Sequence, residues 1–285
     1  MEIGIGLPAT IPNVDGRRVL DWARLADQRG FSSLGVIDRT VYGNYEPLIA
    51  LTGAAAVTER IRLTSTVILA PLRTNHVEFA KMAASLDRLS GGRLVLGLGP
   101  GAREDDFQVS GVDMHTRGKA FDALLERATE VWRGELGVGP APVTPGGPQI
   151  LIGGQAPASF RRVARYGAGW IGGGGSPDLF RNGAAAAREA WAAAGREGAP
   201  RLAMLGYYAL GPNARTAADS YLHDYYGFLG PIADYIANGA LVTPEQVTDA
   251  IGAFAEAGCD ELILFPCDPD LSQVDHLAEA ARPAG

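Results

Sequence analysis

Two cysteines, Cys259 and Cys267, and two lysines, Lys81 and Lys119, are all that this 285-residue chain carries of those types. So few thiols exclude a disulfide framework, and a metal cluster would need more ligands. Neither lysine follows a strand-like run, which argues against Schiff-base chemistry at a strand end. No cluster of Lys or Arg appears, and the formal net charge is −7. That balance argues against nucleic acid or an anionic membrane as a partner. The longest apolar stretches are strand-length, well short of the ~20 residues of a membrane span. Met1-Glu2 runs into IGIGLP with no basic segment or cleavage site before it. The expectation is a soluble cytoplasmic protein. No linker rich in Pro, Gly or charge splits the chain, so residues 1–285 read as one domain.

What is present is alternation. Strand-like runs at Glu2–Leu7, Ser33–Ile37, Leu63–Leu69, Arg93–Leu98, Gln149–Ile152, Gly169–Ile171, Leu202–Leu210 and Glu261–Phe265 are separated by helical stretches. Eight apolar runs of this kind predict parallel strands covered by helices. The length suits one α/β protein of the (β/α)8 TIM-barrel type with short insertions. Leu136–Pro148 is the one Gly/Pro-rich segment and reads as a surface excursion or hairpin. Residues 213–243 are longer than a crossover requires and hold Tyr221, Tyr225, Tyr226 and Phe228. They read either as part of a substrate lid or as extra packing helices.

In such a barrel the site lies at the carboxyl ends of the strands. Leu7-Pro8, Asp38-Arg39, Pro71-Leu72-Arg73, Gly99-Pro100-Gly101, Gly153-Gly154-Gln155, Gly172–Gly175 and Pro266-Cys267-Asp268 follow successive runs. Three glycine-rich loops on one rim allow a ligand to approach the backbone. Gly173 and Gly174, followed by Ser176 as a helix cap, form the best phosphate candidate. The alternative is that these glycines only permit tight turns. GLGPGA at 97–102 formally fits a dinucleotide fingerprint, but the next strand arrives too late for that unit.

TERIRL at 58–63, Thr66-Val67, AASLDRLSGGR at 83–93 and GLGPG at 97–101 with Glu104 form one constellation. ILIGG at 150–154, RYGAGW at 165–170 and ELILFP at 261–266 extend it along nearly the whole chain. Together they resemble the luciferase-like family of flavin- and deazaflavin-dependent oxidoreductases. The resemblance implies a barrel that binds reduced FMN or coenzyme F420 at its carboxyl rim. It places Thr66-Val67 where deazaflavin-dependent members have a cis peptide behind the ring. Gly99, Gly101, Gly153 and Gly154 match positions lining the cofactor chain and phosphate. It further implies a homodimer and, for the FMN form, a separate flavin reductase.

The second run departs from the family. Alcohol- and sugar-oxidising deazaflavin members commonly end it in Asp-His, whereas this chain reads Asp38-Arg39. Asp38 is one catalytic candidate, with pairing to Arg39 or Arg73 as its structural alternative. His223, within the aromatic segment, is the other. Leu7, Tyr42, Arg73 and Tyr226 are expected to line the substrate pocket. No metal is expected. The sequence therefore predicts an oxidoreductase or monooxygenase acting on a small organic substrate, of the sort used in secondary metabolism. A non-catalytic flavin-binding barrel is the second reading.

Overall fold

The structure is a computed structural model that describes residues 1–282. The strands are β1 (Glu2–Gly6), β2 (Ser33–Val36), β3 (Arg62–Ser65), β4 (Ile68–Leu69), β5 (Leu94–Gly99), β6 (Gln149–Gly153), β7 (Gly169–Gly172), β8 (Arg201–Tyr208) and β9 (Glu261–Pro266). The helices are α1 (Gly16–Arg29), α2 (Pro47–Ala55), α3 (His76–Leu89), α4 (Glu104–Val109), α5 (Arg117–Trp132), α6 (Pro157–Tyr166), α7 (Pro177–Ala193), α8 (Ala214–Tyr226), α9 (Pro231–Asn238), α10 (Pro244–Glu256) and α11 (Ser272–Ala280).

Each strand pairs in parallel with the next around a ring, and β3 pairs with β5 to close it. β3 and β4 act as one stave, so the nine strands make an eight-stave TIM barrel. The sequence predicts one continuous run over Leu63–Leu69. The structure divides it, and the two pieces flank a cis peptide between Thr66 and Val67. Nothing in the side-chain alternation marks that break, because Thr and Val both suit a strand.

Local signals set the helix ends. Asp15 accepts from the Arg17 amide to start α1, and Gly30, in the left-handed region, ends it. Asn75, Ser176 and Thr243 cap α3, α7 and α10 in the same way. Strands buried on both faces explain the near-continuous apolar runs. Residues such as Ile5, Leu34, Leu96 and Leu262 face the helix layer. Val95, Leu151, Ala203, Ile263 and Phe265 fill the barrel interior.

The segment 136–148 contains no strand. Fully buried Asp87 of α3 fastens it by accepting from the amides of Val143 and Thr144 and from the Thr144 hydroxyl. In the segment 213–243, α8 lies against the barrel interior through Ala214, Ala218, Tyr221, Leu222 and Tyr225. Leu241 then bridges to Tyr208 of β8.

Candidate active site

The two sides of the barrel mouth are built differently. On the β1–β2 side, Phe265 fills the space. A Cβ on Gly6 would run into its ring, and one on Gly35 would lie 2.7 Å from its Cζ. Glycine is required there so that the phenyl ring fits. On the opposite side, Val67 takes the corresponding place. A Cβ on Gly99 would lie 2.5 Å from Val67 Cγ2, and one on Gly153 would lie 3.1 Å from Cγ1. Gly97 is closed by the Ser65 carbonyl and lies beneath the same side chain. Val67 is only partly buried. The result is a small apolar platform ringed by backbone at the carboxyl ends of β3, β5 and β6.

The glycines beyond the platform differ in what they permit. Gly154 has φ 107° and its carbonyl accepts from the Trp170 indole at 2.9 Å. A Cβ on Gly154 would lie 2.5 Å from the Ser159 hydroxyl. Gly101, at φ 71°, sits against the Phe107 ring. Gly173 has open space where a side chain would be, and Gly174, at φ 107°, is nearly as free. Ser176 accepts from the Leu179 amide as the cap of α7. Gly173, Gly174 and Ser176 therefore form an open turn leading into a 17-residue helix, which suits an anionic group.

Thr66 is buried, and both its amide and its hydroxyl donate to the Val36 carbonyl. Asp38, also buried, accepts from the Leu69 amide at 2.9 Å and from Arg73 Nη2 at 2.7 Å. Arg73 reaches Glu46 as well, at 3.3 Å. Asp38 thus holds the backbone just beyond Val67, and Arg73 Nη2 lies between the carboxylates of Asp38 and Glu46.

Arg39, at the place where the sequence departs from the family, is buried against Asp106. Its Nε donates to Asp106 Oδ2 at 2.8 Å, while Asp106 Oδ1 accepts from the amides of Thr40 and Val41. The guanidinium lies 5.7 Å from the Tyr42 ring centroid and 5.6 Å from that of Tyr225. Asp105 bridges Arg39 to Arg103, whose guanidinium stacks 3.6 Å over Phe228.

A tyrosine cluster covers the mouth. Tyr42 meets Tyr225 edge-on at 4.9 Å and donates its hydroxyl to Asp224. Tyr207 and Tyr226 share a hydroxyl bond of 2.7 Å, and Tyr221 bonds to Thr10 at 2.6 Å. Burial raises the Tyr207, Tyr221, Tyr225 and Tyr226 hydroxyls above the ordinary tyrosine range. Burial and then the bond to Asp224 do the same for Tyr42. These groups remain protonated donors at neutral pH.

Two sequence expectations are corrected here. His223 is exposed, with its ring nitrogens against the Asp219 carbonyl and the Asp234 carboxylate of α9. It lies about 200° around α8 from Tyr221 and so cannot share the mouth-facing side. Leu7 belongs to the layer between strands and helices and does not line the mouth. Strand alternation puts Ile3, Ile5 and Leu7 on one face and Gly4 and Gly6 on the other. Of the expected pocket residues, Tyr42 and Tyr226 come together at the mouth. Sequence reading missed Asp106, Tyr207 and Phe265, because their partners are remote in the chain. Among the described residues, no group of His, Cys, Asp and Glu is placed to hold a metal ion.

A parallel eight-stave barrel with a glycine-ringed platform and a tyrosine cluster at its carboxyl rim is the architecture of a TIM-barrel protein. The sequence matches the luciferase-like monooxygenase family over residues 1–258, and the chain belongs to that family. An uncharacterized protein of Mycobacterium tuberculosis is 34% identical over 191 residues, covering 55% of this chain and 65% of the relative. The chain thus spans somewhat less than two thirds of the length of the curated relatives it matches. An F420-dependent secondary alcohol dehydrogenase, solved with an F420-acetone adduct, superposes with a TM-score of 0.82 at 19% identity, over 99% of both chains. The FMN-bound oxygenating constituent of 3,6-diketocamphane monooxygenase from Pseudomonas putida gives 0.75 at 18%, covering 99% of this chain and 98% of that one. Both have the same fold as this chain.

Proposed function

We propose that the protein is an oxidoreductase that uses reduced FMN or coenzyme F420 on a small organic substrate. The observation that carries this reading is the partly exposed Val67 set among Gly97, Gly99 and Gly153. A flat ring can rest against a valine whose neighbours carry no side chains, whereas an ordinary residue at Gly99 or Gly153 would displace the valine. Both cofactors appear among proteins of the same fold.

In this assignment Val67 backs the ring, with Thr66 and Asp38 holding the flanking backbone. Gly101 and Gly154 let the cofactor chain pass close to the main chain, and Gly173, Gly174 and Ser176 receive its phosphate. When bound, the cofactor supplies the two-electron chemistry, with oxygen as co-substrate for FMN and by hydride transfer for F420. The tyrosine cover excludes water from the ring. Asp38 acts as a positioning residue in this scheme, since its Oδ2 holds the Leu69 amide and Arg73. An FMN form would draw on a separate flavin reductase.

Anaerobic titration of the protein with FMN, reduced FMN and F420 tests the assignment. The Trp170 indole, bonded to Gly154, makes tryptophan fluorescence the natural readout. Tight binding of reduced FMN alone identifies a two-component monooxygenase. Tight binding of F420 identifies a hydride-transfer enzyme. Binding of none of the three overturns the proposal.

A further inference from the structure

A cavity of about 440 Å³ lies against α8. It opens between α8, the turn after β1 and the loop after β9, and its size falls in the ordinary range for small organic ligands. Ile11, Pro12, Ala217 and Pro269 form apolar walls, with the Tyr221 ring and the Cys267 thiol among them. Tyr221 and Cys267 are buried, so this surface belongs to a fixed part of the core rather than to mobile side chains.

The charge on the rim of the cavity has one sign. Asp224 and Asp268 line it, and no Lys, Arg or His does. Asp224 takes the Tyr42 hydroxyl on Oδ2, and Asp268 takes the Asp270 amide on Oδ1. The second oxygen of each carboxylate receives no donor from the described residues. The nearby arginines are committed elsewhere. Arg18 pairs with Asp270 at 3.8 Å, and Arg215 pairs with Asp219 at 2.6 Å while donating to the Ala237 carbonyl. An apolar cavity bounded by two carboxylates with free acceptor oxygens is complementary to a cation with an apolar body.

We propose that this cavity binds a small molecule with an apolar body and a protonated amine, the body against Ile11, Pro12 and Tyr221 and the ammonium between Asp224 and Asp268. None of Val67, Gly97, Gly99 and Gly153 lines this cavity, and Tyr221 is the residue it shares with the tyrosine cluster. The proposal requires no cofactor, so its failure and the failure of the flavin assignment are distinguishable.

Calorimetric titration of the protein without added cofactor tests the proposal, using 2-phenylethylamine, 2-phenylethanol and phenylacetate at neutral pH. The three share one body and differ in charge. The amine should bind about tenfold more tightly than the alcohol, as befits charge-assisted hydrogen bonds at a partly exposed site. Phenylacetate should bind most weakly. D268N and D224N should each narrow the gap between amine and alcohol. Ser220, exposed on the cavity wall, offers a blocking variant: S220W should abolish amine binding while leaving the unfolding curve and the FMN and F420 titrations unchanged. Equal affinity for amine and alcohol, amine binding that survives S220W, or no binding of the amine at millimolar concentration would each overturn the proposal.

Discussion

Val67 and Gly99 share one space at the mouth of the barrel, and only one of them can have a side chain there. A Cβ at residue 99 would meet Val67 Cγ2 at 2.5 Å, closer than carbon atoms approach. The platform for a flat ligand is thus a property of the pair. Gly99→Ala should cost about 1–3 kcal/mol of stability through overpacking, and it should displace Val67 and lose FMN and F420 binding. Val67→Ala in the same chain should return most of the stability, because the clash is with the isopropyl group. A double-mutant cycle from urea unfolding checks this, and a coupling energy near zero would disprove the shared space.

The Arg39–Asp106 pair should matter far more than its neighbour Asp105. Both partners of the first pair are shielded from solvent, with side-chain exposures of 4% and 1%, whereas Asp105 is 38% exposed. Removing one member of a buried pair leaves an uncompensated charge, at a cost of about 3–5 kcal/mol. Asp106→Asn should therefore lower stability by roughly 3 kcal/mol, with the Thr40 and Val41 amides still accepted. Asp105→Asn should cost less than about 1 kcal/mol. Thermal melts of the two variants side by side provide the measurement.

These pairs also show what a sequence can and cannot reveal. The strands were legible because parallel staves buried on both faces must be apolar, and the caps at Asp15 and Ser176 were legible because capping is local. The mouth-facing side of α8 was legible in principle, since Ala214, Ala218, Tyr221 and Tyr225 recur at helical spacing and His223 does not share it. Leu7 likewise falls on the outward face by simple alternation. The partnership of Arg39 with Asp106 was not legible. It joins the loop after β2 to α4 and exists only once the barrel closes. The break at Thr66–Val67 left no mark in the side-chain alternation, since both residues favour strands, and only the family resemblance pointed to the cis peptide there. The glycines were visible, but their reason for being glycine was not, because it lies in the side chains of Val67 and Phe265.

Acid should loosen the barrel from its amino end. Glu2 and Glu261, neighbours on β1 and β9, both face Arg62 and Arg201. Burial alone would raise the Glu2 carboxyl, but the bonds to Arg62 and Arg201 outweigh it and bring it from 4.5 down to about 2. Burial likewise opposes ionisation of Glu261, and the Ser32 and Arg201 bonds overcome it to give a lowered value. A depressed carboxylate contributes stability that is complete above its unfolded value and lost as pH falls through its folded value. The loss should thus run from about pH 4.5 toward pH 2. Glu2→Gln should be less stable than the parent at pH 7, and the difference should shrink as pH falls from about 4.5 toward 2. Circular dichroism melts across that range measure the difference, and a constant difference at every pH would contradict the linkage.

Asp38, a carboxylate just past a strand end, has two competing explanations, chemistry or support, and its Oδ2 contacts favour support. Oδ2 accepts both the Leu69 amide and Arg73, which ties the carboxylate to the backbone that follows Val67. Asp38→Asn retains an acceptor for Leu69 but gives up the charge facing Arg73, which keeps Glu46 as a partner. Asp38→Ala leaves the Leu69 amide without its acceptor, at a cost of about 1–3 kcal/mol. In a supporting role, cofactor affinity should fall in the order parent, Asn, Ala, in step with stability. In a chemical role, both variants would bind cofactor like the parent, and only turnover would be lost. Parallel FMN and F420 titrations and urea unfolding of the three proteins distinguish the outcomes, and the geometry predicts the graded loss of binding.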